Sequence, residues 1–301
     1  QIRGAATTLR VCWPSNQEAP LDEVRAWLTA EACPGLSVPS AVAREDAEAH
    51  RARVRAALRA FERGELFKVV MSRDTRVHGR FDREALVRAL PGEPGPHARF
   101  AFSRGEACFA GQSPERLVVV DDASVTTEAL AGSAELERAD ELAYRAKDRG
   151  EHARVVEGIV AGMRSAGLTP EVGSTVVRRL RSIAHLSTDI RAERRGAHVL
   201  DLVDRLHPTP ATGGTPLPRA RALIGELEGR PRGWYCGAVG WFDGAGRGAF
   251  FVALRSALIE TDAMTVFVGG GVVPGSDPEA EWQETLLKER AVLRAFGLSE
   301  P

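Results

Sequence analysis

The 301 residues carry 40 Lys and Arg against 41 Asp and Glu, with 44% apolar and 27% charged side chains. This balance excludes a basic nucleic-acid binder and an acidic tail, and no apolar run approaches the roughly 20 residues of a membrane span. Four scattered cysteines (Cys12, Cys33, Cys108, Cys236) lack metal-type spacing. With no signal-peptide pattern at the start, they predict reduced thiols in a soluble cytoplasmic protein.

In chain order, "TLRVCW" reads as a strand and "LDEVRAWLTAEA" has helical spacing. Residues 40–65 predict a long amphipathic helix with Val54, Ala57, Leu58 and Phe61 on one stripe, closed by Gly64. "LFKVVMSR" (66–73) then sets Lys68 inside an apolar, β-branched run. A solvent-facing strand position accounts for a lone lysine. In an apolar setting a lysine can instead lose its proton near neutral pH and act as a base. "FDREALVRAL" follows as a helix, and "RFAFSR", "ACFAG" and "RLVVVDD" as strands. Residues 141–167 form a second long helix ending in glycine, and "STVVRRLRSIAHLSTDIRAER" alternates like paired strands. "HVLDLVDRLHP" is a helix stopped by Pro208. "YCGAVGWFD", "GAFFVALRSALIE" and "AMTVFVGGGVV" read as three consecutive antiparallel strands, before a last helix in "DPEAEWQETLLKERAVLRAFGL". Hairpin-linked strands interrupted by helices predict an α+β fold with antiparallel sheets, and neither G-x-G-x-x-G nor a P-loop is present.

Two helices carry carboxylates at informative spacings. Glu281, Glu284 and Lys288 fall at i, i+3 and i+7 on the last helix, and Asp148 and Glu151 are three apart on the earlier one. Each set is either a solvated, salt-bridged face or half of a shared cation site, which would suit magnesium with its preference for oxygen ligands. His152 points to a different helix face from Glu151 and is not counted as a ligand. Glu115, just before an apolar strand, is either a turn glutamate or a carboxyl kept protonated by partial burial. Arg255, between aliphatic residues on a strand, needs an anionic partner. Gly269-Gly270-Gly271 makes either a tight turn at a strand end or a set of backbone amides open to an anion. Together these features suggest a small polyanionic substrate.

The motifs "LFKVVMSR", "SPERLV", "ALAGS", "KDRGEHARVV", "LHPTPATGGTP", "YCGAVGW", "VALRSA" and "GGGVVPGSDPEAEWQETLLK" occur in the order found in chorismate-utilising enzymes. From about residue 50 onward the chain resembles that family, which includes isochorismate, salicylate, anthranilate and aminodeoxychorismate synthases. The resemblance implies two stacked antiparallel sheets around a substrate cleft, and one catalytic domain over 1–301 whose first 50 or so residues are short for the family. It also implies magnesium and chorismate, whose two carboxylates account for Arg255 and the open glycines. Water-using members resemble this chain in carrying lysine at the Lys68 position, where ammonia-using members typically have glutamine. By the same resemblance Lys68 is the base that activates water, and Glu115 the acid that protonates the departing 4-hydroxyl as water adds at ring carbon 2. Glu151 and Glu284 resemble the principal magnesium carboxylates, with Glu281 and Asp148 beside them. Ser133, in an "ALAGS" loop, and His185 would lie near the ring. Tyr235, Arg255, Gly269, Gly271 and Lys288 would surround the enolpyruvyl arm.

Ala211 in "HPTPATGG" resembles isochorismate synthases, since salicylate synthases tend to have threonine there. Thr212 departs from the usual leucine or valine. The expectation is an isochorismate synthase, monomeric and without an obligatory glutaminase subunit. Salicylate synthesis, ammonia-using synthesis and an inactive scaffold are the alternatives. "ELERADELA" stands where relatives have a longer loop after "ALAGSA", and "GAGRGAF" departs from their usual turn.

Overall fold

The computed structural model describes residues 40–91, 95 and 97–298, so the expected "TLRVCW" strand and "LDEVRAWLTAEA" helix, with Cys12 and Cys33, lie outside it. In chain order the elements begin with β1 (Ala41–Arg44), α1 (Ala47–Glu62), β2 (Lys68–His78), α2 (Arg83–Ala89), β3 (Ala98–Arg104), β4 (Ala107–Ser113), β5 (Arg116–Val120) and β6 (Ser124–Ala134). A 3-10 segment (Leu136–Ala143) leads into α3 (Ala146–Ser165), β7 (Glu171–Val172), β8 (Val176–Arg179), β9 (Ala184–Glu193), α4 (Val199–Leu206) and β10 (Gly214–Thr215). The remainder is α5 (Leu217–Glu228), β11 (Ala238–Phe242), β12 (Gly248–Val252), β13 (Ser256–Ile259), β14 (Ala263–Val272) and α6 (Pro278–Ala295).

The strands form two seven-stranded antiparallel sheets, the α+β architecture expected. The first runs β1-β2-β14-β13-β4-β3 with β10 on β2; the second runs β11-β12-β5-β6-β9-β7 with β8 on β9. Strand alternation sends one set of side chains outward under helices and the other inward. Val155, Ile159 and Met163 of α3 and Leu202 and Leu206 of α4 bury against Leu117, Val118 and Ile190 of the second sheet. Val292, Leu293 and Phe296 cover Ala257, Met264 and Val266 of the first sheet, and Val54, Ala57 and Leu223 cover Val69 and Met71. Phe100, Phe109, Val239 and Ala253 pack together from both sheets, with Phe251 and Phe267 against them.

Several expectations change, among them the helix over 141–167, which begins only at Ala146 after the 3-10 segment. Residues 40–65 are not one helix: Ala41–Arg44 pairs with β2 from Ala41↔His78 to Arg44↔Thr75, and Asp46 then caps α1 by accepting from Ala49 N–H. Apolar spacing alone does not distinguish a helix start from a short edge strand. The expected strand "GAFFVALRSALIE" is two strands, since β12 pairs with β5 in the second sheet and β13 with β4 in the first. The crossing occurs at Ala253–Arg255, where Arg255 takes φ +47°, so Arg255 sits at a joint and not on a strand. "ALAGS" is the end of β6 and not a loop, with an irregularity between Ala131 and Ala134 and Gly132 at φ +72°. The helix α5 goes beyond the sequence expectations, although Gly229 at φ +64° ends it in the usual left-handed manner. Among the described residues no helix is long and apolar enough to cross a membrane.

Candidate active site

A cleft of about 780 Å³, counting its open mouth, is lined by both sheets and by α3 and α6. Lys68, Glu115, Ser133, Glu151, His185, Ala211, Thr212, Tyr235, Arg255, Gly269, Gly271, Glu284 and Lys288 all face it. Glu281 and Asp148 are not among its lining residues.

Lys68 opens β2 and is fully buried, which removes the solvent-facing explanation. Its Nζ donates to Glu151 Oε1 at 2.8 Å, so a carboxylate of α3 meets the lysine across the cleft floor. The strand is fixed on its other side by the segment after Pro208. Val70 N–H bonds Gly213 O, Phe67 N–H bonds Thr215 O, and a Cβ at Gly214 would lie 2.3 Å from Lys68 O. Arg232 ties the same pieces together, donating to Val70 O and Thr212 O while Glu228 accepts from Ser72 N–H.

The glycine run lies inside β14 and makes no turn; Gly269, Gly270 and Gly271 stand opposite Ser72, Met71 and Val70. Because the N–H groups of Val70 and Ser72 bond elsewhere, Gly269 and Gly271 point their backbone groups away from β2. β13 reaches β14 only as far as Phe267↔Ser256, so beyond it these amides face the cleft. Absence of a side chain matters most at Gly271, where a Cβ would fall 2.2 Å from Glu151 Oε1 and 3.1 Å from Lys68 Cε. Gly271→Ala is therefore expected to cost about 1–3 kcal/mol of stability by overpacking. Urea unfolding checks this; an unchanged midpoint would show that Glu151 can move aside freely.

Cations line one part of the cleft. Lys288 Nζ donates to Gly269 O at 2.9 Å and Glu284 Oε1 at 2.7 Å. Burial opposes the charge on both, but their mutual attraction holds Lys288 above and Glu284 below the ordinary values. His185 Nδ1 lies 2.8 Å from Gly132 O, which can only accept, so that nitrogen carries the proton. Its Nε2 then accepts, facing Arg255 Nη2 at 3.4 Å, while Ser133 Oγ lies 3.3 Å from Nδ1. Burial, with Arg255 and Lys288 nearby, pushes His185 down to about 3, so the ring is neutral. Tyr235 stacks on Phe267 at 5.5 Å and is held a neutral phenol by burial.

Glu115 lies between β4 and β5, with its N–H donating to Ser113 Oγ at 3.2 Å. Burial pushes its carboxyl up to about 7, against the pull of Lys68. It therefore still holds a proton in near-neutral solution, the property an acid needs.

Glu151, Glu281 and Glu284 lie against the glycine run, while Asp148 lies against Gly132 of β6, where a Cβ would meet its Cβ at 3.2 Å. A Cβ at Gly270 would meet Glu281 Oε2 at 3.4 Å and Glu284 Oε1 at 4.0 Å. Lys147, which the sequence reading passed over, holds Glu281 Oε1 at 2.5 Å. Glu281 Oε2 is buried without a hydrogen-bond partner. Burial and Glu151 push Asp148 up to about 6, and burial and Glu284 push Glu281 upward. Among the described residues no three His, Cys, Asp or Glu side chains form a ready-made cage. His152 turns away to Thr188 Oγ1 at 2.7 Å. Hydrophobic lining from Val70, Leu130, Leu254 and Phe267 was not foreseen, since strand parity is legible only once the sheet partners are known.

Two antiparallel sheets around a cleft of this composition define the chorismate-binding class of enzyme. The chain belongs to the chorismate binding enzyme family, whose model matches residues 21–297. It is 38% identical over 279 residues to the salicylate biosynthesis isochorismate synthase of Pseudomonas aeruginosa, covering 87% of this chain and 58% of that one. The chain spans about half the length of two Bacillus subtilis isochorismate synthases that it also matches. Among solved structures, that of a putative 2,3-dihydroxybenzoate-specific isochorismate synthase, DhbC from Bacillus anthracis, superposes with TM-score 0.80 at 31% identity, covering 86% of this chain and 74% of that one. MenF, the menaquinone-specific isochorismate synthase from Escherichia coli, gives TM-score 0.77 at 31% identity, covering 87% and 64%.

Proposed function

We propose that the chain is an isochorismate synthase, acting as one catalytic domain that adds water to chorismate and stops at isochorismate. The observation that carries this reading is a buried lysine, Lys68, sharing one cleft with Glu115, a carboxyl that retains its proton to about 7. Lys68 takes a proton from water as it attacks ring carbon 2. The ring double bonds shift, and Glu115 gives its proton to the 4-hydroxyl as it leaves. Arg255, Lys288 and the Gly269 and Gly271 amides bind the enolpyruvyl carboxylate, with Tyr235 beside that arm. Ser133 and His185 border the ring. Because water is the nucleophile, no glutaminase subunit is required, and the purified chain is sufficient.

The donor set fits magnesium. Glu151 and Glu284 present hard oxygens to the cleft, and the unpartnered Glu281 Oε2, together with the raised Asp148, marks carboxylate charge in want of a cation. Glu151 and Glu284 would hold the ion, with Glu281 and Asp148 beside them directly or through water. When bound it supplies positive charge for the ring carboxylate. Glu284→Ala is expected to raise the magnesium needed for half-maximal rate at least about tenfold, or to abolish activity. A magnesium titration of the rate checks this, and an unchanged requirement would remove Glu284 from the metal set.

Stopping at isochorismate is supported by Ala211 and by the state of Thr212. The Thr212 hydroxyl donates to Thr209 O at 3.3 Å, so this departure adds no free donor to the cleft. The test is incubation of the purified chain with chorismate and magnesium, without ammonium, followed by chromatography. Isochorismate alone is the expected product. Salicylate with stoichiometric pyruvate would replace this reading by salicylate synthesis, and no turnover would refute both.

A further inference from the structure

Beside the cleft Glu128 is buried and Arg178 half-buried, and no step above uses them. Glu128 on β6 is 4% exposed; both its oxygens receive Arg178 Nη1 at 2.7 Å, and Oε1 also receives Ser187 Oγ at 2.5 Å. Arg178 lies on β8, with β9 between it and β6 in the sheet. The same Nη1 extends to the carbonyl of Pro114 at 3.4 Å, and Pro114 immediately precedes Glu115. The turn is also fastened by Glu115 N–H to Ser113 Oγ, by Val252 N–H to Glu115 O at 3.0 Å, and by Thr209, whose side chain hydrogen-bonds the Glu115 carboxyl. Arg178 is thus a side-chain strut that reaches the turn from the far side of the sheet.

Charge points the same way. Glu115 is faced by Lys68 from β2, Lys288 from α6, Thr209 from the segment before β10, Cys236 from the segment before β11, and Glu128 from β6. The two lysines and Thr209 favour loss of its proton, and Glu128 opposes them.

We propose that Glu128 and Arg178 form a positioning pair for Glu115: Glu128 holds Arg178 and brings a negative charge to the acid's side of the cleft, and Arg178 fixes the Pro114 carbonyl and hence the aim of the acid. This rests on reading Glu115 as the acid. Glu128→Gln keeps one oxygen for Arg178 and Ser187 while removing the charge and the second acceptor. It is expected to leave the KM for chorismate little changed and to move the alkaline limb of the rate profile to lower pH, lowering the rate on that limb about tenfold. Glu128→Asp, which keeps the charge, should restore the limb. Arg178→Lys keeps the charge but is too short to set one nitrogen against both Glu128 and the Pro114 carbonyl, and should lower kcat about tenfold or more with the limb in place.

A second readout does not depend on turnover. The infrared band of the protonated carboxyl that disappears in Glu115→Gln can be titrated in the other variants. Its midpoint should fall in Glu128→Gln. If the wild type makes no isochorismate, the functional reading fails while this titration still tests the pair. An infrared midpoint unmoved in Glu128→Gln, or an unchanged kcat in Arg178→Lys, overturns the proposal.

Discussion

Lys68→Gln is expected to lower conversion of chorismate to isochorismate by about 10²–10⁴-fold, the share that a positioned general base contributes. Lys68 is enclosed on every side: Glu151 meets its Nζ, β10 pairs with its backbone, and Gly271 leaves just enough room for its stem. A truncation to alanine would strand the largely buried Glu151 carboxylate, at about 3–5 kcal/mol for a broken buried pair. Glutamine retains a donor for Glu151 while removing the amine, so loss of rate can be separated from loss of fold. Product chromatography under saturating chorismate and magnesium measures the effect, with a thermal midpoint as the control. Turnover within a few-fold of wild type would eliminate Lys68 as the base.

Glu115→Gln should remove turnover to a similar degree, and the wild-type pH profile should explain why. An acid works only while it holds its proton. Burial sets the Glu115 carboxyl at about 7, so kcat/KM should fall about tenfold per pH unit above that value, and the residual rate of the glutamine variant should lack this limb. Below the limb Glu115 is protonated and imposes no further dependence. A wild-type profile that stays level into alkaline solution, or a glutamine variant that keeps the limb, removes Glu115 from the role.

The sequence carried the identity of the cleft residues further than it carried their setting. Lys68 stood out because it breaks an apolar run and Glu115 because it sits just before an apolar strand, and both prove to be buried. The helix spacings put Glu281, Glu284 and Lys288 on one face and Asp148 and Glu151 on another, yet could not reveal that Lys68 holds Glu151 or that Lys147 holds Glu281. Such pairings join residues up to 134 positions apart and depend on the tertiary fold. Arg255 was recognisable as an odd cation, but its place at a joint was not, because "FFVALRSALI" remains apolar through the crossing. The glycine run was read with a tight turn as one option, since local composition cannot show which neighbour takes a strand's hydrogen bonds.

The crossing at Ala253–Arg255 has a mechanical meaning. A single covalent run passes from one sheet to the other, and the residue at the bend lines the cleft, so the joint between the sheets and a cation facing the ligand are the same piece of backbone. Spreading the sheets would drag Arg255 with them, and a bound anion that grips Arg255 would in turn rivet the sheets. Ligand should therefore slow amide exchange in β12 and β13 together, although these strands belong to different sheets and share no ladder.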